Sequence, residues 1–493
     1  MQLTAAIPAA TVGRVAGLWL LVGAVAGGLV IGVLWQPLLA AGMVACLVSL
    51  AVAALPGILP SHSVLGLLGV VLAGYAFLGR GFAYLGVPPI YIGEIVLALT
   101  LIVSLASHSM RAGFDSPVIV FLAAFAAWGA VRTIPYFPAY HVDALRDAAV
   151  WGYGAFALIL AGAITRSRGT ELVVRWYGRM LPVFLLWLVA IRVASVFGSG
   201  FEFPPGPSGV PLIGIKPGDV AVHLAGVAAF LVLNLRRRCN DRLAWFQDWL
   251  LWALWLACFL IYGSQNRGGL VALVTSLLVL LLLAKSGRWA NIGALSLAVL
   301  LLFLAMDIEV DIGSPRKASP QQILANLVSV TGSEEGSFEN SRRWRLMWWQ
   351  KIIRYTMQGP YFWHGKGFGV NLADDDQFQV TPDRSLRSPH NGHLNILART
   401  GVPGVLLWAA LQLAFAMALL RRYRRLVHTG DSRRSAFILW IFCYWIAALT
   451  NAAFDVYLEG PQGGVWFWCL VGAGIAATTQ SRDGGSQPDP LIR

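Results

Sequence analysis

Apolar runs of about twenty residues, enough for a helix to cross a hydrocarbon core of about 30 Å, follow one another along most of the chain. They lie near 17–34, 38–55, 64–78, 90–106, 118–131, 148–164, 181–196, 220–235, 245–263, 268–284 and 292–306. A polar insert at about 307–389 interrupts them, and further runs follow near 394–420, 436–449 and 464–477. The pattern predicts an all-α polytopic transmembrane bundle of about 12 to 14 spans. The expected organisation is an N-terminal bundle (1–306), a loop domain (307–392), C-terminal transmembrane helices (393–480) and a tail (481–493). That tail, rich in Gly, Ser, Pro and Asp, reads as disordered. No internal repeat is visible.

Composition agrees with the pattern. Hydrophobic residues make up 57% of the chain, charged residues 12%, and the mean hydropathy is +0.66. A soluble chain carries roughly twice that charged fraction. The net charge of +13 resembles a nucleic-acid signal, but the basic residues sit in short connections between spans, as membrane orientation requires. No nucleic-acid partner is expected. Cys46, Cys239, Cys258, Cys443 and Cys469 lack CxxC spacing and read as small core residues. The first apolar run reads as a retained anchor rather than a cleaved signal.

Charge sets the expected orientation. Arg421, Arg422, Arg424, Arg425, Arg433 and Arg434 crowd one short loop, which should be cytoplasmic. Alternation places the connections with Lys285/Arg288, Arg236/Arg237/Arg238/Arg242 and Arg166/Arg168/Arg175 on the same side, together with both termini. The insert then faces outward.

Several cations are left on that outer edge, against the orientation rule: Arg80, Arg192, Lys216, Arg267, Arg342, Arg343, Arg345 and Arg387. Any one of them could be a snorkelling side chain. As a set they suit an anion, because the guanidinium fork fits phosphate oxygens. Arg267 opens an apolar run within Ser264-Gln265-Asn266-Arg267-Gly268-Gly269, and an ionisable group at a span is a functional candidate by default.

Within the insert, Trp344, Met347, Trp348, Ile352 and Tyr355 recur at helical spacing among basic residues. They predict an amphipathic helix that lies at the membrane interface, packs on the bundle, or does both. Gly365-Lys366-Gly367-Phe368-Gly369 is a weak phosphate-loop candidate, since it fits no Walker or Rossmann pattern. Asp374-Asp375-Asp376 reads as a solvated acidic loop rather than a cation site. His390 and His393 lack a third ligand nearby, so no metal and no cofactor is expected. His390 suits proton transfer at neutral pH, with Asn391 beside it and Arg387 three residues earlier. His393 reads as structural, orienting the loop or bonding a carbonyl.

The stretch Ser388-Pro389-His390-Asn391-Gly392-His393-Leu394, followed by Ala398-Arg399-Thr400-Gly401-Val402-Pro403-Gly404, resembles the signature of the O-antigen ligase and O-antigen polymerase superfamily. The Trp344–Trp349 helix, Gly365–Gly369 and Gln265-Asn266-Arg267-Gly268 are similar to further elements of that family. Asn266 stands where the family more commonly has Ser. The resemblance implies a GT-C-like inner-membrane glycosyltransferase that moves a glycan from undecaprenyl diphosphate to an acceptor on the periplasmic side, without a metal. His390, Arg267 and Arg345 would be catalytic. Arg80, Arg342, Arg343, Arg387, Asn391 and Lys216 are candidates for substrate binding, and direct displacement would invert the anomeric centre. The acceptor would be lipid A-core for a ligase, or a second lipid-linked repeat for an O-antigen or exopolysaccharide polymerase. Membrane lipids and a chain-length regulator are the other candidate partners. A lipid-linked sugar or anion transporter is the competing class, but it would carry its charges near the midplane, often in repeated halves.

Overall fold

The computed structural model describes residues 60–87, 90–107, 116–167, 169–197, 210–236, 242–263, 265–284 and 337–479. The runs expected at 17–34, 38–55 and 292–306, the first part of the insert, the tail, Cys46 and Cys239 lie outside the described residues.

The described chain is helical, as the pattern predicts. In order, the long helices are α1 (Pro60–Leu78), α2 (Ile92–Ala106), α3 (Pro117–Thr133), α4 (Phe137–Gly152), α5 (Gly154–Ser167), α6 (Thr170–Phe197) and α7 (Pro217–Val232). They continue with α8 (Arg242–Gly263), α9 (Arg267–Leu283), α10 (Ser337–Met357), α11 (Gly392–His428), α12 (Ser432–Ala452) and α13 (Pro461–Thr479). Among the described residues, 5 helical stretches are long and apolar enough to cross a membrane, and shorter apolar helices accompany them. α12 lies at the centre, packed on α7, α9, α11 and α13, while α13 packs on α5. Apolar side chains such as Val70, Ile102, Val120 and Leu282 stay exposed on the perimeter, as expected where lipid replaces water.

Three departures from the apolar pattern have local causes. Residues 137–147, which the pattern leaves as a connection, are helical in α4 apart from a kink at His141 (φ 43°, ψ −113°), and the run expected at 148–164 is divided between α4 and α5 at Tyr153. Arg421, Arg422, Arg424 and Arg425 are not in a loop but form the last turns of α11. Arginine is a good helix former, and cations near a helix C-terminus are favoured by the helix dipole. α11 itself is broken at Gly401 (φ 70°, ψ −171°), where a Cβ would lie 2.5 Å from the Phe362 carbonyl oxygen. The break sets residues 392–400, which carry the histidine motif, apart from the long apolar segment that follows.

The second half of the insert has its own small core. Trp348, Ile352, Leu372 and Ala373 are buried against Leu397 and Ala398 of α11. The face of α10 that the sequence offered to the interface is therefore largely spent inside the protein.

Candidate functional site

The connection between α12 and α13, residues 453–460, is where the expected site residues meet. Asp455 lies 3.7 Å from His390 Nδ1 and 3.9 Å from Lys216 Nζ. Arg345 turns inward from α10 and donates from Nη1 to the carbonyl of Phe454 (3.2 Å). Gly268 packs against the same Phe454, so close that a Cβ would lie 2.5 Å from its Cβ, and this brings the start of α9, with Arg267, to the cluster. His390, Lys216, Arg345 and the Arg267 turn thus converge on Phe454 and Asp455.

Asp455 and its role were not read from the sequence. A signal was present: Asp455 and Glu459 sit in a short connection between the last two apolar runs of a chain with only 24 acidic residues. Burial alone would raise the Asp455 pKa, but His390 and Lys216 favour the anion and hold it down at about 2. Burial lowers the pKa of the Arg345 guanidinium, while Asp455 opposes that shift.

The His390 loop is held residue by residue. Ser388 donates to Glu459 Oε1 (3.2 Å), and Trp349 of α10 donates from Nε1 to the Pro389 carbonyl (2.8 Å). His390 has φ +53°, a left-handed conformation uncommon outside glycine that surrounding contacts must enforce. Asn391 then caps α11, its Oδ1 accepting from the backbone of His393 and Leu394 (3.1 Å each). His393 places Nε2 on the Leu449 carbonyl and accepts from Trp408 Nε1 at Nδ1, so both its ring nitrogens are used structurally. Glu459 keeps one sealed oxygen, Oε2, without a partner. Burial raises its carboxyl pKa to about 7, against the hydrogen bonds from Ser388 and the backbone.

Asn266 caps α9, with Oδ1 accepting from Gly269 N (2.7 Å). Serine and asparagine are comparable N-caps, which gives a physical reason for Asn at this place. Gly79 and Gly214 form a parallel bridge, and Arg80 N donates to Gly214 O (2.9 Å), so the Arg80 turn is tied to the segment that ends in Lys216. The Arg80 guanidinium is exposed and lies over the Tyr84 ring.

Other expected residues are placed elsewhere. Arg342 and Arg343 are exposed on α10 and do not share the inward direction of Arg345. Arg387 is tied to Asp147 (2.9 Å), Asp143 (3.1 Å) and the Gly369 carbonyl (2.8 Å). Asp147 also pairs with the buried Arg399 (2.9 Å), joining α4, α11 and the insert in one closed network. Lys366 is bound to Asp375 and Asp376 (2.5 and 2.7 Å) and lies over Tyr355. Its cation is therefore committed inside the loop domain, and the glycine-rich stretch docks that domain on α11 through Lys366 N to Ala398 O (2.7 Å). Asp376 is fully buried and also accepts from Trp348 Nε1, so the acidic triplet is in part a structural anchor rather than a solvated loop. Among the described residues no group of His, Cys, Asp or Glu is arranged to hold a metal ion.

A narrow polar cleft runs below the cluster from Lys216 past Asp219 to His223, walled by Tyr75, Tyr457 and Gln462. The His390 side chain keeps 31% of its surface exposed.

Comparison with curated proteins finds no match. Residues 252–409, which run from α8 through α10 and the His390 loop into α11, match the family model described as O-antigen ligase. The chain is thus a multi-pass membrane protein in which residues 252–409 are similar to the O-antigen ligase family.

Proposed function

We propose that this membrane enzyme transfers a glycan from undecaprenyl diphosphate to an acceptor hydroxyl at the outer face of the bacterial inner membrane. The observation that carries the reading is the convergence of His390, Arg345 and Lys216, with the Arg267 turn, on the Phe454–Asp455 connection.

His390 is the base. Asp455 faces Nδ1 at 3.7 Å, too long for a direct hydrogen bond but within charge-pairing reach, and such contacts commonly tighten when substrate binds. An Nδ1–H held toward Asp455 leaves Nε2 to take the acceptor proton. The acceptor oxygen then bonds the anomeric carbon as the bond from that carbon to the diphosphate oxygen breaks. The electron pair leaves with the diphosphate, and the configuration inverts. Arg267 and Arg345, with Lys216 beside them, would balance the negative charge that grows on the leaving group. Asp455 stabilises the imidazolium formed in the same step.

The ligase reading takes lipid A-core as acceptor, and the polymerase reading a second lipid-linked repeat. One labelled lipid-linked repeat supplied alone is lengthened by a polymerase and left unchanged by a ligase. The central test is His390→Ala with purified lipid-linked donor and acceptor. Full transfer by that variant overturns the assignment of the base.

A further inference from the structure

α10 has a second, outward face. At about 100° per residue, Ile353, Leu346, Met357, Gln350, Arg343, Arg354 and Met347 fall within an arc of about 120°, opposite the buried Trp344, Trp348 and Tyr355. The apolar members are strongly exposed: Leu346 41%, Met347 53%, Ile353 45% and Met357 52%. Arg343 and Arg354 lie among them, and no acidic residue occurs between Ser341 and Met357.

The position of the helix says what this face meets. α10 packs on α11 around its break, with Val402 and Val405 against the small core. Just beyond, Leu406 (62%) and Leu413 (60%) of α11 are exposed to the surroundings of the bundle, which in a span is lipid. α10 therefore lies level with the point where α11 enters the hydrocarbon. A helix edge of apolar side chains flanked by arginines, at that level, suits the headgroup layer of an anionic bilayer.

We propose that the outward face of α10 rests on the membrane surface, with Leu346, Met347, Ile353 and Met357 among the acyl-chain ends and Arg343 and Arg354 on phospholipid phosphates. Arg345 and Trp349, on the other side of the same helix, are thereby held at a fixed height above the lipid from which a membrane-borne donor arrives. The surface assignment does not depend on the proposed reaction.

The test places a photo-crosslinking p-benzoylphenylalanine at Ile353 in the full-length protein, reconstituted in phosphatidylethanolamine–phosphatidylglycerol vesicles with labelled phospholipid. Met347, at the other edge of the arc, is the second position should the first disturb folding. A phospholipid adduct is expected at both positions, with severalfold lower yield in R343Q/R354Q and in zwitterionic phosphatidylcholine vesicles. No lipid adduct from folded protein, or an adduct to a second copy of the chain instead, overturns the membrane contact. Equal yields with and without the arginines overturn the phosphate contacts, and equal yields in phosphatidylcholine overturn the preference for an anionic surface.

Discussion

Two clusters of arginines, lysine and carboxylates occupy the same end of the bundle, and they are built on opposite principles. Around Asp147 the central pair is close and covered: Arg399 and Asp147 have side-chain exposures of 2% and 7%, and their contact is 2.9 Å. Around Asp455 the contacts are 3.7 and 3.9 Å, and His390 and Lys216 keep side-chain exposures of 31% and 28%. A network whose donors and acceptors are used up holds elements together. One whose charged groups are near each other but not in direct contact, and partly exposed, has room for something that comes and goes. The difference lies in saturation and access, since the residue types are nearly the same.

The strongest way to break this contrast is to remove one member of each cluster. His390→Ala should lower transfer by about 10²- to 10⁴-fold, the range of a lost general base, with thermal unfolding in detergent unchanged. Asp147→Ala should do the reverse in kind. It leaves Arg399 buried without its carboxylate, costs about 3–5 kcal/mol of stability, and is read as a lowered melting temperature and reduced folded yield. If Asp147→Ala melts like the unaltered protein, the closed network is not structural.

A smaller effect sharpens the role of Asp455. Asp455→Asn should reduce kcat by about 10²-fold while the folded protein melts at the same temperature at neutral pH. A reduced rate accompanied by an equally reduced melting temperature would leave Asp455 only a structural part. Stability follows a separate sign: with its pKa held near 2, Asp455 contributes stability that is full above the ordinary carboxylate value of 3.8 and fades as pH falls through about 2. Glu459 runs the other way. Its pKa is raised to about 7, so the stability advantage of its neutral form is full below about 4.5 and lost as pH rises through about 7. Glu459→Gln should flatten the neutral-pH part of a melting-temperature profile.

The smallest effect concerns the α9 cap. Asn266→Ala should cost about 0.5–2 kcal/mol, while Asn266→Ser should stay within a few tenths, both read from thermal melts. Equal losses in the two variants would mean that the cap is not what Asn supplies here.

Much of this was legible in the chain. Long apolar runs can only be buried in lipid or in one another, so the helical membrane architecture follows from periodicity and length alone. His390 and Arg267 stood out because each ionisable group near a span must justify its desolvation. The helical spacing from Trp344 to Tyr355 is a local signal, and local signals survive in sequence, although the Asn266 cap and the start of the helix at Ser337 came only from the structure. The partner of His390 did not stand out, because Asp455 is distant in the chain and neighbours it only after α11 and α12 have folded back.

The sequence by itself determined which segments must leave water, and which residue types could grip an anion or move a proton, because solvation and acidity belong to single side chains. Only the tertiary structure decided which cations are spent: Arg387, Arg399 and Lys366 are locked in pairs, whereas Arg345 turns toward Phe454 and Asp455. Saturation is a property of neighbours, and neighbours far apart in the chain are fixed by packing.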